Sequence, residues 1–299
     1  MISRLRRCAR TMAAVAALAL FCPDARAQES RPTARQVIER IQKKTGIAWS
    51  EPTVDTFKAG DPDTPVTGVA VTMMATYDVL RRAAASGKNL IITHEPTFYD
   101  HQDKTEALEE EGDAVLAAKQ DLIRKRRLVI WRFHDYWHQR RPDGIQAGMI
   151  RALGWERYRV PGSDSRFAIP QTTLAQLASS LQKRLGIPTL RVVGHPNLKI
   201  RRVGLAPGFA GFGPQRHLLQ SDQVQALVMG EAHEWETIEY AADAVAQGKS
   251  KALIVLGHIP SEQAGMQECA RWLRTFVPEV PVAFLPTADP FWTPRSPGR

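Results

Sequence analysis

Short apolar runs recur along the chain, each ending abruptly in polar residues. Gly68–Thr72, Leu90–Thr93, Leu128–Phe133, Leu190–Val193, Ile200–Leu205, Ala226–Met229, Ala252–Leu256 and Val282–Leu285 are four to six residues long and rich in Val, Ile and Leu. That length and composition predict buried strands. Most are separated by stretches with helical spacing: Tyr77–Ser86, Thr105–Arg127, Gly144–Leu153, Thr173–Leu185, Glu234–Gln247 and Gln263–Phe276, with Arg31–Thr45 ahead of them. Thr173 with Gln176 forms a capping box, and Gly186 and Gly248 are helix stops. Thr105–Arg127 opens on Glu106 and Glu109–Glu111 and closes on Arg124–Arg127, the order the helix dipole favours, so the basic run reads as a helix end. Ala48–Thr67, rich in Asp, Pro and Thr, reads as loop. Alternating strands and helices predict an α/β fold.

The first residues follow another pattern. Arg4, Arg6, Arg7 and Arg10 precede an apolar stretch, Met12–Phe21, too short to cross a bilayer. Ala25-Arg26-Ala27 is a small-residue cleavage site, which predicts a signal peptide over 1–27, a periplasmic location and no stable membrane anchor. The formal charge is +9; residues 1–27 carry five Arg and one Asp, which leaves +5 on the remainder. That mild excess gives no support for nucleic-acid binding. Of the three cysteines, two lie in the signal, so Cys269 has no intrachain partner and reads as a small core residue.

Three strand ends carry the chemistry. Leu90–Thr93 runs into His94-Glu95-Pro96, Leu128–Phe133 into His134 with His138, and Ala252–Leu256 into Gly257-His258, with Glu262 four residues on. The i, i+4 pairs share one face if the backbone turns helically after the strand. In open α/β sheets ligands bind at the carboxyl ends of strands. Four imidazoles and two carboxylates suit two adjacent divalent transition-metal ions, zinc, iron or manganese, better than calcium or magnesium. Glu231, ending Ala226–Met229, is a candidate catalytic base or orienting residue. His195 and His217 read as unrelated, and the glycine-rich loop Pro207–Gly213 is no P-loop. Lys88–Pro96 and Lys251–Pro260 share a pattern of Lys, aliphatic strand, His and Pro, as a duplicated α/β unit would.

The segments Asn89–Tyr99, Leu128–His138, Val228–Glu231 and Ala252–Gly265 resemble the Nif-three-like family, which in bacteria carries the label GTP cyclohydrolase I type 2. Its most specific motif, Gly-His-x-x-(Ser/Thr)-Glu, is met as Gly257-His258-Ile259-Pro260-Ser261-Glu262. The resemblance implies a Nif-three-like α/β fold: two similar units with mixed, largely parallel sheets packed into one globule, a first unit over 28–140, a connecting region over 141–200 and a second unit over 201–299. It further implies a dinuclear metal centre held by His94, Glu95, His134, His138, His258 and Glu262, and a homohexamer. The family's usual His-His-Pro is His94-Glu95-Pro96 here, and its usual Asp in the second cluster is His138, with Asp135 as the fallback ligand. The exchange keeps the donor inventory. The leading reading is a metal-dependent hydrolase that attacks an unidentified small molecule with a metal-bridged hydroxide. A non-enzymatic periplasmic metal-handling protein is the alternative.

Overall fold

All eight apolar runs are strands, and two further strands appear where the pattern is faint. The computed structural model describes residues 31–292 and Pro294; the expected signal peptide lies outside the described residues. In chain order the elements are α1 (Ala34–Thr45), β1 (Phe57–Ala59), β2 (Val69–Thr72), α2 (Tyr77–Ala85), β3 (Leu90–Thr93), α3 (Glu106–Glu110), α4 (Ala114–Lys125), β4 (Val129–Arg132), α5 (Asp135–Gln139), α6 (Gly144–Leu153), β5 (Arg166–Thr173), α7 (Leu174–Leu185), β6 (Arg191–Val193), β7 (Lys199–Ala206), α8 (Phe212–Gln220), β8 (Ala226–Met229), α9 (Glu239–Ala246), β9 (Ala252–Val255), α10 (His258–Leu273) and β10 (Val282–Phe284).

The strands form two five-stranded mixed sheets, ordered β1-β4-β3-β2-β10 and β5-β7-β8-β9-β6. In the first, β4, β3, β2 and β10 are parallel and β1 is an antiparallel edge. In the second, β7, β8 and β9 are parallel between antiparallel β5 and β6. The fold is therefore α/β with largely parallel mixed sheets, as expected. The segment expected as a connecting region over 141–200 supplies β5 and β6 to the second sheet, and β10, from the expected second unit, returns to the first. Strand β5 gave little apolar signal because only Phe167 and Ile169 of it are buried, and it contains Pro170.

Two of the expected helices have other bounds for identifiable reasons, and α8 was not expected. Thr105–Arg127 is not one helix: α3 ends before Gly112, and Asp113 starts α4 afresh, its carboxylate accepting from Leu116 N. Helix α10 begins at His258, five residues before the expected Gln263. Pro260 falls in its first turn, where its missing N–H costs nothing.

Helix α10 locks the molecule together. It follows the second sheet yet packs against β2 and β10 of the first and against α6. Its Met266, Cys269, Ala270 and Leu273 join the core around Val71, Ile92 and Trp131. Helix α6 faces the other way too, sending Met149, Ile150 and Leu153 into the core of the second sheet. Cys269 is fully buried there, and burial pushes its thiol well up, so it is a core residue and no nucleophile. Among the described residues no helix is long and apolar enough to cross a membrane.

Candidate metal centre

The carboxyl ends of β3, β4 and β9 come together, although β9 belongs to the other sheet. The convergence is thus between two sheets. His94 and Glu95 end β3, His134 and His138 flank and occupy α5 after β4, and His258 and Glu262 sit four apart at the start of α10. His258 Nε2 lies 3.0 Å from Glu262 Oε2 and 3.3 Å from Glu95 Oε1. His94 Nε2 lies 3.6 Å from Glu262 Oε2 and 3.9 Å from Glu95 Oε1, and His134 Nε2 3.8 Å from Glu95 Oε1. The His138 ring is 5.0 Å from both the His94 and His134 rings. Two overlapping sets could each hold an ion: His94, His134 and His138; and His94, Glu95 and Glu262.

The opposite ring nitrogens are all engaged by acceptors outside the cluster. His94 Nδ1 donates to Phe133 O at 3.0 Å. His134 Nδ1 meets Asp135 Oδ1 at 2.9 Å, His138 Nδ1 meets Asp143 Oδ2 at 2.9 Å, and His258 Nδ1 meets Glu231 Oε1 at 3.2 Å. A carbonyl can only accept, so a neutral His94 keeps its Nε2 lone pair free. That atom is buried and, among the described residues, has no hydrogen-bond partner. This outer-acceptor arrangement is how proteins orient metal-ligating histidines. Ligand atoms around a tetrahedral ion at about 2.1 Å lie roughly 3.4 Å apart, close to the spacings here. The residues present therefore fit a transition-metal centre.

The electrostatics agree. Burial pulls His258 down, but Glu231, Glu262 and Glu95 outweigh it and the imidazole is pushed up to about 12. Burial pushes Glu95 up, yet the His258 hydrogen bond and the neighbouring imidazoles hold it well below the usual carboxylate range. These carboxylates surround a point where positive charge is strongly favoured. His94 goes the other way: burial and the nearby His134 drive it well below its ordinary value, leaving it neutral.

Several supporting residues were not singled out from sequence. Asp55, 4% exposed, accepts from the backbone N–H groups of His134, Asp135 and Tyr136 and so fixes the start of α5. Asp143 caps α6 through Ile145 N and Gln146 N while its other oxygen holds His138. Fully buried Arg132 donates to His94 O at 3.0 Å and to His101 O at 2.6 Å, and its Nη2 reaches Glu95 Oε2 at 3.4 Å. An arginine inside the apolar run of β4 was the available signal. Asp135 faces outward as well: its second oxygen accepts from Thr53 Oγ1 and Val54 N. His138 occupies the cluster in its place. Gly208, with φ +64°, brings the loop after β7 against Glu262, where any Cβ would collide with Oε1. His195 instead turns on itself, accepting from Asn197 N.

Residues 33–290 match the model of the Duf34/NIF3 (NGG1p interacting factor 3) family. The chain belongs to the Duf34/NIF3 family. Among solved structures, the Staphylococcus aureus protein SA1388 is 17% identical with a TM-score of 0.67, covering 87% of this chain and 99% of its own. A Bacillus cereus protein related to NIF3 is 14% identical with a TM-score of 0.65, over 88% and 99%. HcgD from Methanocaldococcus jannaschii, in its reduced form, is 12% identical with a TM-score of 0.59, over 85% and 97%. At these identities the likeness is one of fold. No curated protein sequence matches the chain.

The outer acceptors of this Duf34/NIF3 member give a direct test. Asp143→Asn keeps the helix cap through its remaining oxygen and turns its NH2 towards His138 Nδ1, which loses its acceptor. Metal affinity will fall by about 10–100-fold, the usual effect of removing such a partner. Thermal stability will change little. Competition with a fluorescent chelator measures the affinity, and an unchanged value refutes the role of Asp143.

Proposed function

We propose that this protein is a metal-dependent hydrolase with two transition-metal ions per chain, exported to the periplasm. The carrying observation is the set of four imidazoles whose Nδ1 atoms are all held from outside, with the buried Nε2 of His94 left without a hydrogen-bond partner among the described residues. His94, Glu95, His134, His138, His258 and Glu262 would hold the ions, and the mixed nitrogen and oxygen donors favour zinc, iron or manganese. Such ions supply Lewis acidity and a water activated near neutral pH. The chain's own contribution is the setting: a cavity of about 590 Å³ bordered by Glu95, His101, His138, Phe209, Glu231 and His258. Glu231 meets His258 Nδ1 and borders the cavity with its side chain half exposed, which supports a role in orienting His258 and in taking a proton from a bound water. Export is supported by the Arg-rich start, the short apolar run and Ala25-Arg26-Ala27; a hexamer is supported by the family resemblance.

The test is turnover with elemental analysis on protein purified from the periplasm. A panel of chromogenic phosphate and carboxylate esters will show hydrolysis that a chelator abolishes and one added metal restores. Stoichiometric metal without any turnover across the panel would favour the metal-handling alternative. A folded protein that carries no metal and takes none up would overturn both.

A further inference from the structure

A second cavity, of about 450 Å³, opens on the other side of Glu95 and His258 and is bordered by Tyr77, Thr97, Tyr99 and Lys119. It lies at the carboxyl ends of β2 and β3, where the fold places ligands. Lys119 comes into it from α4 and is only 4% exposed. Lysines are almost never so buried without a paired charge. Its ammonium donates to Thr97 O, and among the described residues no carboxylate oxygen comes within 4.0 Å of it. The acid that acts on it from a distance, Asp103, is itself engaged by Lys58 at 3.3 Å and Arg132 at 4.0 Å. The ring of Tyr99 lies 5.0 Å below the ammonium, and burial pulls Lys119 down to about 8. A second polar atom beside it is also unsatisfied: Thr97 Oγ1 is buried with no hydrogen-bond partner among the described residues. An ammonium with spare N–H donors and an idle hydroxyl donor line one cavity that also touches two residues of the metal cluster.

We propose that this cavity is the anchoring subsite for a substrate bearing one singly charged oxyanion, a carboxylate or a phosphodiester, bound by Lys119 and the Thr97 hydroxyl. One cation balances one negative charge, and a lysine meets an oxyanion as a point charge without the fixed fork of an arginine. The bond to be cleaved would then lie towards Glu95 and His258. The word substrate rests on the hydrolase reading; the anion site itself does not.

Calorimetry of the full-length protein as purified, titrated with benzoate and with diphenyl phosphate, tests this. One site per chain is expected for at least one probe, and the tighter of the two names the source of the anion. Lys119→Met keeps the length of the side chain and removes the charge; it will weaken binding by about tenfold or more, as loss of a charged hydrogen bond does. Thr97→Val, the same shape without the hydroxyl, will weaken it several-fold, and it stands alone as the test if Lys119→Met does not fold. Lys125→Met, on the exposed end of the same helix, will bind like the parent. The same site will persist in His138→Ala, whose side chain borders only the first cavity, even as metal is lost, so failure of the metal reading stays separable. A folded Lys119→Met or Thr97→Val protein that binds both probes like the parent overturns the subsite. So does binding that disappears with the metal in His138→Ala, and so does a parent protein that binds neither probe.

Discussion

A His258→Ala variant will purify folded but with its metal content cut to a small fraction of the parent. Removing an outer partner of a ligand costs about 10–100-fold in affinity, and His258 is proposed as a donor itself, so its loss will exceed that range. The side chain does more than donate. Its Nε2 stands 3.0 Å from Glu262 Oε2 and 3.3 Å from Glu95 Oε1, and its Nδ1 3.2 Å from Glu231 Oε1. Without it, three carboxylates face one another around an empty volume, and leaving buried charge uncompensated is strongly unfavourable. The variant will therefore also melt at a lower temperature than the parent. Glu262→Gln separates the two effects, since it removes a ligand charge while keeping the volume and easing the repulsion. It too will lose metal, with the smaller loss of stability. His195→Ala and His217→Ala will retain the full complement. Elemental analysis beside circular dichroism decides the matter: parental metal content in folded His258→Ala removes this residue from the centre.

What could be read from the sequence follows from how local each feature is. His94-Glu95 and His258…Glu262 were legible because an apolar strand stops and a polar pair begins within a few residues. Capping of α7 by Thr173 and Gln176 was legible for the same reason, and the structure has that box intact. Asp55 could not be read, because its carboxylate serves backbone N–H groups about eighty positions away, in a stretch whose Asp, Pro and Thr content signals only loop. The edge strand β1, three half-buried residues in the same stretch, was hidden likewise. The outer acceptors are mixed. Asp143 reads as a helix cap before Gly144, but its second duty towards His138 exists only in three dimensions. The meeting of the β9 end with the ends of β3 and β4 is a property of packing, since among the described residues no strand of one sheet pairs with a strand of the other.

That packing makes a residue with no chemistry of its own decisive. Gly148 of α6 will not tolerate a side chain: Gly148→Val will lower both thermal stability and metal content. A Cβ at Gly148 would collide with Ala264 O and sit 2.5 Å from Gly265 Cα, both on the backbone of α10, and neither can swing away. Gly265 meets α6 as closely, with Ile145 Cα at 2.5 Å from its would-be Cβ. Overpacking of this kind costs about 1–3 kcal/mol and sometimes more, and each kcal/mol lowers Tm by about 2–4 °C in a domain of 150–250 residues. The functional consequence follows from what the two helices carry. Asp143 at the start of α6 holds His138, while α10 opens with His258 and Glu262. Forcing the helices apart moves ligands of both i, i+4 pairs relative to each other, though no ligand has been changed. Gly213→Ala is the matched control, since the Cβ there meets nothing within 4 Å and alanine suits a helix better than glycine. Differential scanning fluorimetry and elemental analysis on the two variants will show Gly148→Val low in both Tm and metal and Gly213→Ala like the parent. If Gly148→Val lowers Tm but keeps full metal, the centre does not depend on the α6–α10 contact.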